Sequence, residues 1–420
     1  MSPTSMSRTH RLLDSPKVPA CIVKRNGMRT FSPARLQVAS SEVVRDINRR
    51  VVLNLIRTRQ PLSRADLARL SGLQRSTISS IVEELIEEHW VLEGPLGRLP
   101  RGRRPTFLRL NDDRVIIGVD IRPIQITVAL ADVNGKFSSQ EAFATPSGPD
   151  AGIAALIERI QRLLANCQGK KVEGVGITVP GRVEPGTGRL IFAPNLKWPA
   201  CDLRTPIEKA TGLEVAVENA ASACVLASVW FDHLEERDVV AITVSEGIGT
   251  GILINGHLAR GLCGMAGEFG HVPVDPEGPP CGCGSRGCWE VYGSNRAALR
   301  YYFESTTQPE GFGFLELLNL AAQGESKAVR ALETMARYLG RGMRMIVAGL
   351  NPERILVIGD LTRSWELFGP IIEAEVRAQV LPGGVPPKLT PVHEGGMARL
   401  RGTVALVLQK HFGTNTEVPA

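Results

Sequence analysis

Two stretches of the sequence repeat one pattern of strands and turns, and this repetition limits the folds open to the chain. Residues 115–136 and 239–260 each contain an apolar strand, a turn-prone middle, a second strand and an Asn-Gly dipeptide. Asn-Gly is a strong signal for a tight hairpin turn. Further apolar runs at 175–179 and 355–358 alternate with helical stretches, which is the rhythm of an α/β fold. The repetition predicts two similar lobes with a cleft between them.

A different pattern precedes the repeats. From Ser41, apolar residues recur at helical spacing until a break at Gln60-Pro61, which predicts one amphipathic helix. These apolar residues are Val44, Ile47, Val51 and Leu55. Ser63 then suits the N-cap of a second helix with Asp66 as its capping-box partner, and Ser71-Gly72-Leu73 suits a turn after it. Leu67 and Leu70 are expected to form the buried stripe of this second helix.

A third helix is predicted to begin near Gln74 and to present small polar side chains in its first turns. Such side chains reach base edges and phosphates in a major groove without steric conflict. The candidate DNA-contacting residues on this helix are Gln74, Arg75, Ser76, Thr77 and Ser79. The residues expected to face inward are Ile78, Ile81, Val82, Leu85 and Ile86. Helix, capped helix, glycine turn and polar helix occur in the order of a helix-turn-helix.

Two strands predicted at 90–93 and 106–110 enclose a basic hairpin tip. Within this tip Arg101, Arg103 and Arg104 resemble arginines that lie along a narrow minor groove. The alternative for this whole region is a small helical interaction domain with a solvated basic loop. The first 114 residues carry 21 Lys+Arg against 11 Asp+Glu, a net charge of +10 that leaves −4 for the remainder. This asymmetry favours a polyanion partner for the N-terminal part.

The bulk composition excludes several classes of protein. With 43% apolar and 22% charged residues over 420 positions, the chain is expected to be globular with more than one core. It contains no run of about 18 apolar residues, and its first thirty residues lack the apolar segment of a secretion signal. We therefore expect no membrane partner and a cytoplasmic location.

One histidine and three cysteines fall within eighteen residues and predict a metal site. They are His271, Cys281, Cys283 and Cys288. One imidazole and three thiolates form a closed tetrahedral zinc site with no open position for water, so the predicted zinc is structural. The alternative is a loop of free cysteines.

At these residues the sequence resembles the ROK family (repressors, open reading frames, kinases), through Glu-x-Gly-His at 268–271 and Cys-x-Cys-Gly-x-x-Gly-Cys-x-Glu at 281–290. The resemblance runs from about Val115 to Leu408, and the preceding winged helix resembles the repressor branch of the family. It implies a two-lobed, actin-like and ribonuclease-H-like fold with a sugar site between the lobes. The residues that it implies for this site are Gly181, Asn195, Asn219, Glu268, His271 and Glu290. Carboxylates and amides suit the task because they accept hydrogen bonds from adjacent hydroxyls.

The sequence departs from the family's kinases in the parts that handle phosphate. Where they carry Asp-x-Gly-Gly-Thr, this chain has Asp-Ile-Arg-Pro-Ile at 120–124, and Ala220 stands at the position of the catalytic Asp. Proline lacks an amide donor and a methyl group accepts no proton. A Gly-Gly pair on the adenosine side reads Gly359-Asp360. The glycine-rich stretch 245–251 suits a phosphate cradle or tight hairpin packing about equally.

The sequence therefore predicts a sugar-responsive DNA-binding regulator, and more specifically a repressor of carbohydrate genes without catalytic activity. Two alternatives stay open, namely an ATP-dependent sugar kinase and a ligand-blind DNA-binding protein with structural zinc. The expected partners are double-stranded operator DNA, a sugar or sugar-phosphate effector and further copies of the chain in a homodimer or tetramer. The expected organisation is a basic mobile tail over 1–40, a winged helix-turn-helix over 41–112, a sensor domain over 113–410 with its zinc loop at 268–290, and a tail over 411–420.

Overall fold

The structure, a computed structural model, describes residues 41–96, 105–167, 169–232, 234–304, 306–378 and 380–412. Two predicted segments lie outside these residues. They are the tail of residues 1–40 and the basic hairpin tip, or wing, with Arg101, Arg103 and Arg104. The rest of the N-terminal part is a three-helix unit with a small antiparallel sheet. Its helices are α1 (Ser41–Arg59), α2 (Arg64–Ser71) and α3 (Arg75–Glu87), and its strands are β1 (Leu62–Ser63), β2 (Val91–Leu96) and β3 (Thr106–Leu110).

The local signals read from this part of the sequence act as expected. The Ser63 hydroxyl accepts from the Asp66 amide and the Asp66 carboxylate accepts from the Ser63 amide, so the predicted capping box is confirmed. Helix α2 then ends at Gly72, whose φ of 72° is left-handed and therefore suits glycine. Helix α3 follows directly with Gln74 as its N-cap residue. The two-residue strand β1 escaped the sequence analysis because it is too short to show any alternation.

Two expectations about buried faces were wrong. Leu70 is 38% exposed, so Leu67 alone supplies the buried part of α2. In α1 the buried residues are Val52, Leu53 and Ile56. Of the four apolar residues that predicted the amphipathic helix, Val44, Ile47 and Val51 are exposed and Leu55 is half-buried. The reason is that α1 carries two apolar faces, and tertiary packing rather than periodicity selects the face that joins the core.

The N-terminal lobe, residues 114–219, contains a five-stranded sheet in the order β11-β7-β4-β5-β6. Its main strands are β4 (Arg114–Ile121), β5 (Gln125–Asp132), β6 (Phe137–Ala144), β7 (Lys171–Val179) and β11 (Val215–Asn219). Helices α4 (Pro149–Ala165) and α5 (Arg204–Thr211) pack on it, and β8 (Arg182–Val183), β9 (Arg189–Phe192) and β10 (Cys201–Asp202) form a small antiparallel sheet.

The C-terminal lobe, residues 239–392, repeats this arrangement with the order β14-β13-β12-β15-β16. Its strands are β12 (Val239–Val244), β13 (Ile248–Ile254), β14 (His257–Leu258), β15 (Arg354–Gly359) and β16 (Lys388–Val392). In each lobe the first strand pairs antiparallel with the second strand and parallel with a later one, β7 or β15, so the predicted duplication is confirmed. The helices of this lobe are α7 (Glu290–Gly293), α8 (Asn295–Phe303), α9 (Phe314–Ala322), α10 (Ser326–Leu350) and α11 (Trp365–Arg377).

Two helices fill the space between the sheets. Helix α6 (Ala220–Phe231) packs on β12 and β13, helix α12 (Gly395–Phe412) packs on β4 and β7, and the two helices pack on each other. Glycine makes this close approach possible, because a Cβ on Gly402 would lie 2.6 Å from the carbonyl oxygen of Ala223. All but two residues of α6 are buried, which explains a sequence without a polar face.

Helix α12 ends at Phe412, so it extends two residues beyond the predicted sensor domain of 113–410. Phe412 is 1% exposed, and its ring packs edge-on against Trp90 of the N-terminal part and Trp230 of α6. One hydrophobic core thus runs through α1, α3, α6 and α12. Among the described residues, no helix combines the length and apolar character that a membrane span requires.

Candidate functional site

A cleft that is open to solvent lies between the two lobes. All six residues that the resemblance implies for a sugar site line it, together with Ala220, Arg122 and Arg399. Gly181, Asn195 and Asn219 come from the N-terminal lobe, while Glu268, His271 and Glu290 come from the C-terminal lobe. A molecule in the cleft therefore touches both lobes at once.

On the N-terminal side, Asn219 joins a strand, a turn and a helix. It ends β11 and caps α6, since its Oδ1 accepts from the amides of Ala221 and Ser222 at 2.8 and 3.3 Å. Its Nδ2 donates to the carbonyl of Gly181 at 2.7 Å, and Gly181 has a left-handed φ of 89°. The position of α6 is thereby tied to the turn that borders the cleft.

On the C-terminal side, Glu268 and His271 sit on one 3-10 turn that is pressed against β13. Gly267 has a φ of 94°, and a Cβ there would collide with the carbonyl of Thr250. A Cβ on Gly270 would likewise collide with the carbonyl of Ile248. Glycine at both positions lets the turn approach the strand closely enough to direct its polar side chains into the cleft.

Glu268, His271 and Glu290 form a chain of polar groups. His271 Nε2 lies 3.7 Å from Glu268 Oε2, and His271 Nδ1 lies 3.6 Å from Glu290 Oε1. Burial raises the pKa of Glu268 above its ordinary value and Glu290 adds to the rise, while His271 and Arg182 oppose it. Two partly desolvated carboxylates flanking an imidazole can accept hydrogen bonds from neighbouring hydroxyls of a polyol.

The four predicted metal ligands come together beside this chain. The ligand atoms of His271, Cys281, Cys283 and Cys288 all lie within 4.8 Å of one another. Cys283 Sγ is 3.7 Å from Cys288 Sγ, and Cys281 Sγ is 3.5 Å from His271 Nδ1. Ligands of one tetrahedral zinc at Zn–S distances of about 2.3 Å stand roughly 3.8 Å apart, so the donor set fits one such ion.

The thiols of this cluster also need a positive charge if they are to ionise. Burial raises the pKa of the Cys281 and Cys288 thiols above the ordinary value, and Glu290, whose Oε1 is 3.0 Å from Cys281 Sγ, raises that of Cys281 further. A bound cation would offset both effects, because metal ligation stabilises the thiolate directly. The cluster is suited to a metal ion that holds the loop closed.

The part of the cleft around Arg122 and Ala220 is built differently. Asp120, buried at the end of β4, accepts from the Thr178 hydroxyl at 2.9 Å and from Arg122 Nε at 2.6 Å. The next residue, Pro123, has no backbone N–H, and Ala220 presents a methyl group nearby. A Cβ on Gly247 would collide with the side chains of Glu290 and Asn195, so packing accounts for this glycine of the 245–251 stretch.

The first turns of α3 form the described part of the candidate DNA-binding surface. Gln74, Arg75 and Ser76 are exposed there, and Thr77 and Ser79 are half-buried. Four of the predicted inward residues, Ile78, Ile81, Val82 and Leu85, are buried, and the fifth, Ile86, is half-buried. The five polar residues thus lie together on the outer face of a helix whose inner face is fixed in the core.

Comparison with protein families decides what this architecture is. The model described as "ROK family" matches residues 116–410, and the model "Winged helix-turn-helix DNA-binding" matches residues 45–91. The chain belongs to the ROK family. It combines the ROK domain with an N-terminal winged helix-turn-helix for DNA binding.

Individual ROK proteins support this organisation. The chain is 31% identical over 383 residues to the xylose repressor of Bacillus spizizenii, which covers 90% of this chain and 98% of that protein. A crystal structure of a ROK family transcriptional regulator, a homologue of the Escherichia coli MLC protein, matches with a TM-score of 0.75 at 27% identity, over 88% of this chain and 98% of that one. A ROK glucokinase from Streptomyces griseus, in complex with glucose and AMPPNP, matches with a TM-score of 0.64 at 32% identity, over 70% and 99%.

Some residues around the ROK cleft escaped the sequence analysis. Arg399 in the first turns of α12 lines the cleft, and Glu218 forms a 2.9 Å ion pair with Arg260 next to Asn219. No local motif marks these residues, because they reach the site only through the packing of elements that are distant in sequence. The Glu-x-Gly-His turn was found because all of its functional side chains are close in sequence.

Proposed function

We propose that this ROK protein is a sugar-responsive DNA-binding repressor of carbohydrate genes that acts in the cytoplasm. The observation that carries the proposal is a cleft lined by Glu268, His271 and Glu290 in a chain that also has a helix-turn-helix. The relative from Bacillus spizizenii, named a xylose repressor, aligns with both parts. We accordingly assign the six cleft residues as ligand contacts and Gln74, Arg75, Ser76, Thr77 and Ser79 as DNA contacts.

The metal in this proposal is a structural zinc ion. It would be held by His271, Cys281, Cys283 and Cys288, a closed set that offers water no coordination position. His271 Nδ1 faces Cys281, so zinc on Nδ1 would leave the proton on Nε2, which faces Glu268. The ion would thus fix both the loop and the donor direction of the imidazole that borders the ligand.

We further propose that the protein does not phosphorylate sugar. Ala220 cannot take a proton from a hydroxyl, and loss of a general base alone typically removes about 10²–10⁴ in rate. Arg122, bound to Asp120, and Pro123 replace the glycine amides that would approach ATP. The protein therefore resembles the glucokinases in fold while lacking the groups that serve the transferred phosphoryl group.

A response to sugar requires contact between the cleft and the DNA-binding unit. Helix α6 begins at the cleft with Ala220. Near its other end, the backbone carbonyl of Trp230 accepts a hydrogen bond from Arg57 of α1. The Arg57 guanidinium also lies 4.4 Å from the centroid of the Trp230 ring. Helix α12 carries Arg399 in the cleft and ends at Phe412, whose carbonyl accepts from Asn54 of α1 at 2.8 Å. A ligand that favours one arrangement of the lobes can therefore shift α1 through both helices.

A thermal-shift screen tests the ligand assignment. The panel is D-xylose, D-glucose, N-acetyl-D-glucosamine and the phosphates of these sugars. A sugar that binds only the folded protein must raise its melting temperature by mass action. We expect at least one shift, its loss in Glu268→Ala and its retention in Glu277→Ala, a glutamate on the exposed part of the same loop. No shift with any sugar would instead favour a ligand-blind DNA-binding protein.

A binding assay on DNA tests the other half of the proposal. DNA selected from a random pool by the intact protein should show an inverted repeat, since one helix-turn-helix recognises a half-site weakly and a homodimer or tetramer binds two. Arg75→Ala should weaken binding to the selected DNA by roughly 5- to 150-fold and leave random DNA almost unaffected, because a base contact is worth about 1–3 kcal/mol. Wing substitutions at Arg103 and Arg104 should weaken both and reduce the salt dependence. Equal losses on both DNAs for Arg75→Ala would contradict its assignment.

A further inference from the structure

Arg114 joins the sensor lobe directly to the end of the DNA-reading helix. It is the first residue of β4 and its side chain is 3% exposed. Its Nε donates to the carbonyl of His89 at 2.8 Å, and its Nη2 donates to the carbonyl of Glu88. Glu88 is the C-cap of α3 and His89 follows it, and the unsatisfied carbonyls and the dipole at a helix C-terminus both favour a cation.

The remaining faces of the Arg114 guanidinium are also occupied. Its Nη1 is bonded to Glu173 of β7, which is equally buried, and its plane lies over the ring of Trp90 at 3.9 Å. We call this contact of Arg114 with Glu88, His89, Trp90 and Glu173 the joint. Arginine suits it because the planar guanidinium has donors fixed in several directions at once. Helix α3 cannot rotate relative to β4 without breaking at least one of these contacts.

The other end of β4 forms part of the cleft. The strand runs over eight residues from Arg114 to Ile121, and Ile121 and Arg122 line the cavity. Eight extended residues span about 26 Å. Strand β4 pairs with both β5 and β7, so it moves as part of a sheet rather than bending alone. A change of lobe arrangement at the cleft therefore reaches Arg114 through a stiff element.

We propose that Arg114 is the positioning residue through which the state of the cleft sets the orientation of α3. This inference rests on the proposed function, because it concerns how the sugar response reaches the reading helix. The contacts of α6 and α12 hold α1, whereas Arg114 is bonded to the backbone of Glu88 and His89, the two residues that directly follow α3. Loss of the several hydrogen bonds of the Arg114 guanidinium, its fork, should leave sugar binding and DNA binding in place. Sugar should then no longer change the affinity for DNA.

The coupling ratio tests this role. It is the operator dissociation constant with saturating sugar divided by the constant without sugar, measured by fluorescence anisotropy on DNA selected by the wild-type protein. Typical allosteric ratios are about 5–150. In Arg114→Lys, which keeps the charge beside Glu173 and loses the fork, we expect a ratio below about 2 and a sugar dissociation constant within about twofold of wild type. Arg109→Lys, an exposed arginine of β3, is the matched control and should keep the wild-type ratio.

A second variant keeps the test valid if the lysine variant folds poorly. Arg114→Met combined with Glu173→Met removes both buried charges together, and replacing a buried ion pair by apolar residues of similar volume is often tolerated. The expected ratio is again below about 2. A merely structural role would lower the melting temperature and both affinities while leaving the ratio unchanged, and that result would overturn the inference. A wild-type ratio near 1 with every sugar of the panel would overturn the proposed function and this inference with it.

Tryptophan fluorescence supplies an independent readout. Trp90 lies between Arg114, the His411 ring at 4.5 Å and Phe412, so its emission reports on the joint. Sugar should change the emission of the wild-type protein, and the change should be smaller in both Trp90→Phe and Arg114→Lys. A sugar-induced change that persists in Trp90→Phe at full size would show that the joint does not respond, and would count against the role of Arg114.

Discussion

In the N-terminal lobe the turn after the first strand reads Arg122-Pro123-Ile124, whereas the C-terminal lobe has Ser245-Glu246-Gly247 at the equivalent place. The strand orders of the two lobes match, but their chemistry does not. The C-terminal lobe carries Glu268 and Glu290 with the cysteine cluster, while the N-terminal lobe carries Arg114 and the contacts to α3. In the proposed function, the acidic ligand contacts thus lie in the C-terminal copy of the architecture, whereas the amide contacts Asn195 and Asn219 lie in the N-terminal copy. The N-terminal copy also holds the DNA-binding unit through Arg114.

The proposed departures from the kinases fall in both lobes, since 120–124 and Ala220 lie at the ends of strands of the N-terminal lobe and Gly359-Asp360 lies in the C-terminal lobe. An enzyme needs both first-strand turns to approach ATP, whereas a regulator needs only a ligand that touches both lobes. In the proposed function, phosphate handling is lost at Arg122 and Ala220, while Glu268 on the other lobe keeps its carboxylate in the cleft. The experiments that follow test whether the two lobes really carry separate tasks.

Metal removal should have the largest effect, and the effect should be confined to sugar binding by the C-terminal lobe. Chelation, or Cys288→Ser, frees the loop that holds His271 and Glu290, so sugar affinity should fall by at least about tenfold as charge-assisted hydrogen bonds are lost. DNA binding without sugar should persist, because the winged helix packs on the N-terminal lobe. Calorimetric sugar titration and anisotropy measure the two, with Cys201→Ser as the control outside the cluster. If sugar binding and DNA binding were lost together, the two lobes would not carry separate tasks.

Asn219→Ala should have a smaller effect than metal removal. It should lower the stability of the protein, because Asn219 connects α6 to the N-terminal lobe. The variant loses the cap of α6 and the bond to Gly181, at a cost of about 1–2 kcal/mol in the free energy of unfolding. It should also weaken sugar binding. Ser294→Ala, which removes the cap of α8 in the C-terminal lobe, should destabilise similarly and leave sugar binding unchanged. Denaturant unfolding and sugar titration separate the two outcomes, and equal sugar affinities in both variants would argue against a ligand role for Asn219.

A moderate pH effect should originate at the joint of the N-terminal lobe. Burial lowers the pKa of His411 to about 4, with smaller contributions from Lys410, Arg114 and Arg49. The unfolded chain binds this proton below pH of about 6.5 and the folded protein does not, so stability should fall between pH of about 6.5 and 4. After solvent screening we expect a loss of roughly 1 kcal/mol. His411→Gln should remove this dependence, whereas the exposed His257→Gln should retain it.

Ala220→Asp should have the smallest effect, because turnover should remain at background. The variant restores a carboxylate at the base position, but Arg122 and Pro123 still deny ATP the amides of a phosphate loop. A coupled assay with ATP, D-glucose and D-xylose measures this. Turnover above background from the single substitution would mean that the N-terminal lobe still handles nucleotide, and it would remove the distinction between the lobes.

The parts of the molecule that sequence reasoning predicted are those whose signals are local. The Ser63 capping box, the Asn-Gly hairpins and the cysteine cluster each depend on residues close in the chain. The joint around Trp90 was not predicted, because Arg114, Glu173 and Phe412 meet there from separate elements. The buried face of α1 was predicted wrongly for the same reason, since only its distant partners distinguish its two apolar faces.

Operator binding by the intact protein, titrated with and without each sugar of the panel, tests the central claim most directly. We predict that one sugar weakens binding to the selected DNA by at least about fivefold. The Glu268→Ala variant should bind the same DNA normally, but sugar should no longer change its affinity. Operator affinity that no sugar changes would contradict the account, because the cleft would then have no influence on the DNA-reading helix.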